Sequence, residues 1–341
     1  MVERRSILFT IDSPGGGGDR PPMVALARGL QDRGHHVTML CDAACERQLT
    51  AAGLSVIAIP SNIAQASYFS PTTIPNWLRD FQNDGDHTPN PLVEWAKNAL
   101  PTCRDLVDEI KPDLIVSSLF CMGLGNLLAQ ELGIRWCFVN PSFYFGDPLS
   151  DTWAADWYGE GTRLFMQHCF LPISEQADMV LHATDAEFDS VELPLNHHHV
   201  GFLLWEPSNK LPEFITRSGD PWALITTSSV PQPDEFTMAR AALEVLADQS
   251  VRTLLTLPNR DPRPLGELPS NAHIVDFVPH TPVIQRSTLV ISHAGHGIVS
   301  KALYQGVPMV LLPWDRDQPG VALRAENLGV AHVVPREDVR A

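Results

Sequence analysis

The sequence predicts an α/β protein made of two doubly wound, Rossmann-like halves. Three observations carry that expectation. Short apolar runs alternate with helix-period segments from Ser6 onward, and strands alternating with helices imply a parallel sheet covered on both faces. The alternation lapses in a polar, proline-bearing stretch, residues 205–220, and resumes at Trp222. The length of 341 residues allows two domains of ordinary size.

Composition agrees with such a fold and excludes other classes. Hydrophobic residues make up 44% and charged residues 19%, which sustains a core and rules out global disorder. A formal net charge of −16 argues against a nucleic-acid partner, because the phosphate backbone would be repelled. No secretory signal precedes the first apolar run, and no run of about 18 apolar residues occurs, so no stable membrane insertion is expected. The six cysteines form no C-x-x-C pair, and Cys121 and Cys137 lie in or beside apolar runs as candidate buried thiols. A reduced, cytoplasmic setting is the expectation.

In the first half, Ser6–Ile11 is the first strand. A loop with four consecutive glycines, Gly15–Gly18, follows it. Pro21-Pro22 sets up a helix over 23–33 whose apolar face is Val24, Leu26, Ala27 and Leu30. Strands are predicted at 36–41 and 55–60 with a helix between them. Residues 61–90 lose the pattern and read as a long loop or an irregular helical insertion, with Phe69, Trp77 and Phe81 among polar residues. A helix over 91–110, a strand over 113–118, a helix over 122–132 and a strand over 135–139 follow. The aromatic segment containing Phe143, Tyr144, Phe145, Trp153, Trp157, Tyr158 and Phe165 reads either as core packing or as a pocket for an apolar molecule. Strands at 178–183 and 199–204 close this half. His197-His198-His199 does not read as a metal site, since consecutive strand residues point to opposite faces. Residues 205–220 form the predicted linker.

In the second half, strands are predicted at 222–227, 252–257, 273–278, 289–292, 309–312 and 331–334, with helices over 235–248, 298–305 and 317–328. The chain stops soon afterwards, at a helix-like start, so a C-terminal truncation is the expectation. The stretch from His293 to Gln318 carries most of the chemistry. Ser292-His293-Ala294-Gly295-His296-Gly297 joins a strand to a helix, Gly306-Val307-Pro308 leads to the next strand, and Pro313-Trp314-Asp315-Arg316-Asp317-Gln318 forms a polar loop. A glycine turn feeding a helix start is an anion site, because unpaired N–H groups and the positive end of the helix dipole face one point. Gly295 and Gly297 admit close approach of a phosphate, and His293 and His296 can each donate a hydrogen bond, although His296 reads equally as a packed side chain.

This stretch resembles the donor-sugar signature of the UDP-glycosyltransferase superfamily, glycosyltransferase family 1 with the GT-B fold, in the style of its bacterial antibiotic and macrolide branch. The matching residues are His293, Gly295, Gly297, Ala302-Leu303, Gly306-Val307-Pro308, Pro313 and Asp317-Gln318. Phe277-Val278-Pro279-His280 stands where such enzymes carry a nucleobase platform. Pro22, Ala25-Leu26-Ala27, Leu30, Gly34-His35 and Val37 match the N-terminal pattern. The resemblance implies an acceptor-binding domain over 1–204 and a nucleotide-sugar domain over 221–341, with the cleft between them hosting the reaction. His293, with Gly295, His296, Gly297 and the Ile298 N–H, would hold the diphosphate. Asp317 and Gln318 would bind sugar hydroxyls, and Phe277 would stack on the base while the backbone at Val278 reads its edge. Thr227 and Ser228 would face the phosphates. Phe143, Tyr144 and Trp153 would contact the acceptor. A nucleotide sugar is then a co-substrate, and no cofactor or metal is implied.

Five positions depart from the family pattern. Ile298 replaces a Thr or Ser, Lys301 stands where plant enzymes hold the ribose with an acid, and Val321 replaces an Asn. In the first loop Gly18-Asp19 replaces Gly-His, and Ser118 stands where a carboxylate would orient that His. The two first-half changes fit together, and Asp19 becomes the candidate base that deprotonates the acceptor hydroxyl. Asp19 also suits a helix N-cap, and Asp12 is a rival base. The expected activity is metal-independent, inverting transfer from UDP- or dTDP-sugar to a small apolar acceptor such as a natural product. The alternatives are a nucleotide-sugar-binding auxiliary protein and a nucleotide-sugar epimerase.

Overall fold

The computed structural model describes residues 3–11, 18–64, 73–146, 164–219, 221–227, 235–314 and 316–339. The chain divides into two compact units, Met1–Trp205 and Glu206–Ala341.

In the first unit the described strands are β1 (Ser6–Ile11), β2 (His36–Asp42), β3 (Ser55–Ile59), β4 (Leu114–Ser117), β5 (Arg135–Asn140), β6 (Met179–His182) and β7 (His197–His199). They form one parallel sheet in the order β3-β2-β1-β4-β5-β6-β7. Side chains alternate between its faces, as strand geometry requires. Leu8, Leu40, Ile115, Phe138 and Val180 enter one core, against α4 (Pro91–Val107) and α5 (Met122–Leu132). Ile7, Phe9, Ile11, Met39 and Val116 enter the other, against α1 (Arg20–Asp32) and α2 (Ala43–Ala51). Helix α1 begins before the predicted position, because Pro21 and Pro22 are tolerated in a first turn whose N–H groups have no helical partner.

Two differences from the expected pattern have local causes. The last strand of this unit is His197–His199 rather than 199–204. Val200 and Gly201 still donate to His182 O and Thr184 O, and then Gly201 at φ 76° turns the chain off the sheet. Within 61–90, α3 (Thr73–Asp84) is a regular helix. Trp77, 5% exposed, stacks on Phe81 at 4.8 Å and meets Phe165 edge-on at 5.1 Å, so these aromatics belong to the core.

In the second unit β8 (Trp222–Thr226), β9 (Arg252–Thr256), β10 (Ala272–Val275), β11 (Ser287–Ser292), β12 (Met309–Leu311) and β13 (Ala331–Val333) form a second parallel sheet, ordered β10-β9-β8-β11-β12-β13. One face packs on a helix over Glu235–Leu246. Helices over His280–Ile284, His296–Gln305 and Gln318–Asn327 contribute the buried residues Val283, Ile284, Val299, Ala302, Val321, Ala322 and Ala325. In chain order these helices follow a short one over Glu213–Thr216 and one over Leu171–Ser174, so the six are α6 (Leu171–Ser174), α7 (Glu213–Thr216), α8 (Glu235–Leu246), α9 (His280–Ile284), α10 (His296–Gln305) and α11 (Gln318–Asn327).

The polar stretch expected as a linker is part of the second unit from Glu206 onward. Phe214 stacks on His273 at 4.6 Å, Trp222 Nε1 donates to Ile215 O, and the Arg252 guanidinium donates to Arg217 O while lying 4.4 Å over the Trp222 ring. Its few apolar residues are thus used for docking, which a low average hydropathy conceals. All six cysteines are buried thiols, Cys121 and Cys137 among them. Burial pushes the thiols of Cys103, Cys137 and Cys169 up to about 12. Among the described residues no helix is long and apolar enough to cross a membrane.

Close packing of α5 on the sheet depends on Gly125. A Cβ there would lie 1.7 Å from Ser117 Oγ and 3.0 Å from Trp136 Nε1. That hydroxyl cannot swing aside without cost, since it accepts from both Thr10 Oγ1 and Trp136 Nε1 at 2.9 Å. Gly125→Ala gains about 1 kcal/mol of helix propensity. Overpacking costs about 1–3 kcal/mol or more. The clash is severe enough to win: urea unfolding is expected to show a net loss of about 2 kcal/mol.

Candidate functional site

Both sheets place the first strand beside the fourth, counting within each unit, so the connections leave in opposite directions there. In open α/β sheets ligands bind outside the carboxyl ends of the strands at such a reversal. In the second unit the reversal lies between β8 and β11. The carboxyl ends of those strands carry Thr226-Thr227 and Ser292-His293, which were singled out from the sequence.

Ser292 Oγ accepts the N–H of Ala294 at 3.2 Å, and Ala294 is held at φ 60°. The left-handed residue is therefore the alanine, while Gly295 sits at φ −60° as the N-cap of α10. The glycines serve a different need: a Cβ on Gly295 or Gly297 would meet nothing within 4 Å among the described residues. Open space in front of a helix start is what an anion requires. The helix begins at His296 rather than Ile298. The Ile298 N–H, expected to face the phosphate, donates to Gly295 O at 3.2 Å and closes the first turn. The N–H groups of His296 and Gly297 precede it. His293 is 2% exposed, with its ring edge-on to Trp314 at 5.5 Å. His296 is buried in the first turn, where Ser300 Oγ donates to His296 O at 2.7 Å.

The rest of the second-unit set lies around the same edge. Phe277 is 47% exposed just past β10, so it is not a core residue, whereas Val278 is buried. Thr227 Oγ1 donates to Thr256 O at 3.3 Å. Asp317 takes the N-cap position of α11. Gln318 is buried, and its Oε1 accepts the Trp314 N–H at 2.9 Å, which braces the 314–318 loop. Val321 is fully buried in α11. Ser228 lies outside the described residues, as do Ser229 and Asp315.

Lys301 is paired in a way its sequence position did not reveal. Its Nζ meets Glu206 Oε1 at 2.6 Å, with both side chains about one-seventh exposed. Glu206 also accepts the N–H groups of His280 and Thr281 at 2.8 and 2.9 Å, which caps α9. Burial alone would raise the Glu206 carboxyl, but Lys301 and the Thr281 bonds outweigh it and lower it. His280 Nε2 lies 3.2 Å from Thr256 Oγ1, which donates to Thr226 Oγ1 at 2.8 Å. Desolvation, with Lys301 nearby, lowers His280 to about 4, so its ring is neutral at pH 7. One network thus joins the first residue of this unit to α9, α10 and the ends of β8 and β9.

In the first unit the reversal lies between β1 and β4. Asp19 is 5% exposed at the N-cap position of α1. It makes no capping bond, and the cause is visible in the chain: the positions an N-cap side chain reaches are Pro21 and Pro22, which have no N–H. The N-cap reading is thereby corrected. Ser118, at the end of β4, is fully buried, and its Oγ has no hydrogen-bond partner among the described residues. The rival base Asp12 lies outside the described residues.

Of the acceptor candidates, Trp153 lies outside the described residues, with Trp157 and Tyr158. Phe143 is 2% exposed. Tyr144 lines a small cavity at the carboxyl ends of β5 and β6, together with Met122, Phe138, Phe170, His182 and His197. Its N–H donates to Asp189 Oδ2 at 2.8 Å, and its ring lies edge-on to those of His182 and His197 at 5.5 and 5.3 Å. The histidines are linked, His182 Nε2 to His197 Nδ1, at 3.0 Å. His197-His198-His199, which does not read as a metal site, forms an edge strand of the described sheet, and His197 points inward and is 7% exposed. The period-2 pattern carried that signal, since alternate histidines must face inward. Glu206 had no comparable signal, because its partners lie 74 to 95 positions away.

A family profile described as a glycosyl transferase 4-like domain matches residues 17–195, more than half of the chain. A second, described as the C-terminal domain of erythromycin biosynthesis protein CIII-like proteins, matches residues 240–341. An NDP-glycosyltransferase, YjiC, of Bacillus subtilis (strain 168) is 25% identical over 336 residues, covering 93% of this chain and 82% of the relative. The crystal structure of the glycotransferase of kitacinnamycin superposes with a TM-score of 0.73 at 20% identity, covering 99% of this chain and 88% of that one. Spinosyn rhamnosyltransferase SpnG, complexed with thymidine diphosphate, superposes with a TM-score of 0.68 at 19% identity, covering 96% and 86%.

Two measurements probe this geometry. Glu206→Ala leaves Lys301 buried without its partner and strips two N–H groups of their acceptor. Thermal and urea unfolding should show a loss of about 3–5 kcal/mol, partly recovered in Glu206→Ala/Lys301→Met. Burial lowers His182 to about 3 and His197 to about 4, with the neighbouring His198 and His199 adding to the effect on His182 and Asp189 opposing it. These rings take up protons near the usual 6.5 only on unfolding, so stability is expected to fall as pH drops from 6.5 toward 4 and to level off below the native values. His197→Phe should flatten that part of the pH profile.

Proposed function

This chain belongs to the glycosyl transferase 4-like family, and from that premise we propose that it moves a sugar, with inversion, from a UDP- or dTDP-sugar to a hydroxyl of a small apolar acceptor such as a natural product. The observation that carries the donor half is the start of α10. There the β8/β11 reversal, two glycines with open space before them and a buried His293 coincide. The positive end of α10 and the first-turn N–H groups suit a leaving diphosphate without a metal or other cofactor. The relative bound to thymidine diphosphate supports a nucleoside diphosphate of this kind. Phe277 is exposed where a base could stack. The NH₂ end of Gln318 and the Asp317 carboxylate offer a donor and an acceptor for sugar hydroxyls.

Asp19 acts as the base. Its carboxylate takes the proton of the acceptor hydroxyl, and the oxygen attacks the anomeric carbon from the face opposite the diphosphate. The new C–O bond forms as the bond to the diphosphate breaks, and the diphosphate carries off the electron pair. Burial of Asp19 favours the role, because a carboxylate is a weak base unless it is desolvated. The prolines that prevent capping leave the carboxylate with no helix-end task.

Asp19→Asn should lower kcat by about 100-fold or more while nucleotide-sugar affinity stays within twofold. Near-normal turnover with the true acceptor would remove Asp19 from the mechanism.

A further inference from the structure

Phe277 and the start of α10 stand at separate places on one sheet edge. Phe277 follows β10 and α10 follows β11, and in the order β10-β9-β8-β11 those strands are three steps apart, about 14 Å. One extended nucleoside diphosphate has that reach. A ligand that uses both places is therefore sensitive to the spacing between them. Chain connectivity does not set that spacing. Phe277 leads through buried Val278 and Pro279 into α9, which has only five residues. A helix so short has little stability of its own. Its N-cap, Pro279, carries no side-chain acceptor, so the first N–H groups need a partner from elsewhere.

Glu206 is that partner. Its carboxylate accepts from His280 at 2.8 Å and from Thr281 at 2.9 Å, 74 and 75 positions away. The same carboxylate meets Lys301 Nζ at 2.6 Å. Lys301 is the sixth residue of α10, less than two turns from Gly295. One side chain thus ties the root of the exposed aromatic residue to the helix whose start suits an anion. Stability alone is a poor reason for such a tie. Both side chains are about one-seventh exposed, and a buried ion pair commonly adds nothing over an apolar pair of the same size. The two helices already bury Val283 and Ile284 on one side and Val299 and Ala302 on the other. Apolar contact is non-directional and lets helices slide. Three hydrogen bonds to one carboxylate are directional and fix a single register.

We propose that Glu206 and Lys301 are positioning residues: their pair holds α9 and α10 at the spacing a nucleoside diphosphate spans, so that Phe277 and the α10 start act together on one ligand. The inference rests on the function proposed above, which supplies that ligand. Neither side chain needs to touch it. Lys301 departs from the family pattern, and the pair gives that position a task without ligand contact.

The test uses the full chain and three ligands: thymidine diphosphate, inorganic pyrophosphate and thymidine, with the uridine series alongside. Calorimetry gives the dissociation constants, and NMR titration gives those of the weaker fragments. Glu206→Gln/Lys301→Met removes both charges together and keeps the volume of each side chain, so no charge is left buried alone. It should bind the nucleoside diphosphate about tenfold more weakly, because two places that no longer fit one ligand lose the advantage of linkage. Pyrophosphate and nucleoside, each using one place, should bind within about twofold of the native protein. A second variant, Thr281→Pro, deletes one of the three bonds without stranding a charge, and α1 already carries a proline at its second helical position. It should repeat the pattern at about threefold, and it decides the matter if the double variant does not fold. A merely structural role would weaken all three ligands alike, or none. Unchanged affinity for the nucleoside diphosphate, or equal loss of all three ligands in a folded variant, overturns the positioning role and leaves the proposed function standing. A native protein that binds no nucleoside diphosphate removes the donor reading itself, and the positioning role with it.

Discussion

Strand order reverses beside β1 in one sheet and beside β8 in the other, and the placement of every candidate residue follows from that constraint. Parallel strands all present their carboxyl ends to one edge, and the reversal parts the connecting segments there. In the second unit this sets Thr226-Thr227 next to Ser292-His293 and lets α10 start in open space. In the first it sets Ser118, just past β4, beside the end of β1, while Asp19 opens α1, the next described helix after β1. The repeated order gives two units of one design two different chemistries, because their strand-end residues differ.

Polar groups are organised differently at the two edges. The second unit uses an ionic network, in which Glu206 neutralises Lys301 and caps α9. Two buried charges of opposite sign, each with further hydrogen bonds, avoid the penalty that either would suffer alone. The first unit uses neutral relays. Asn140, His182 and His197 are buried and joined by hydrogen bonds, and burial keeps both rings neutral at pH 7. The pairing leaves the Lys301 charge balanced by Glu206. A neutral relay suits a cavity walled by carbon, where a net charge would be costly.

Small, local rules decide several assignments. Pro21 and Pro22 lack N–H groups, so Asp19 cannot serve as a cap. The αL conformation falls on Ala294, which leaves Gly295 and Gly297 to provide room rather than backbone freedom. The Ile298 N–H is taken up by Gly295 O, so fewer N–H groups are left at the start of α10 than a count along the sequence suggests. Gln318 has its carbonyl oxygen engaged by the Trp314 N–H, so a residue singled out for binding also braces its own loop.

The sequence by itself determined the two parallel sheets, most strand positions and the helix start after His293. These are encoded by residues close together in the chain: apolar alternation, glycine stops such as Gly306 and the Ser292–Gly297 turn. The His197-His198-His199 strand was half legible, because alternation says that one face looks inward without saying what it meets. Only the tertiary structure decided that residues after Trp205 belong to the second unit, that Lys301 is neutralised by Glu206, and that Asn140 is bonded to His182. Those pairings join residues 42 to 95 positions apart. Local propensity carries no information at such a separation; it takes the packed sheet to bring the partners within hydrogen-bond distance.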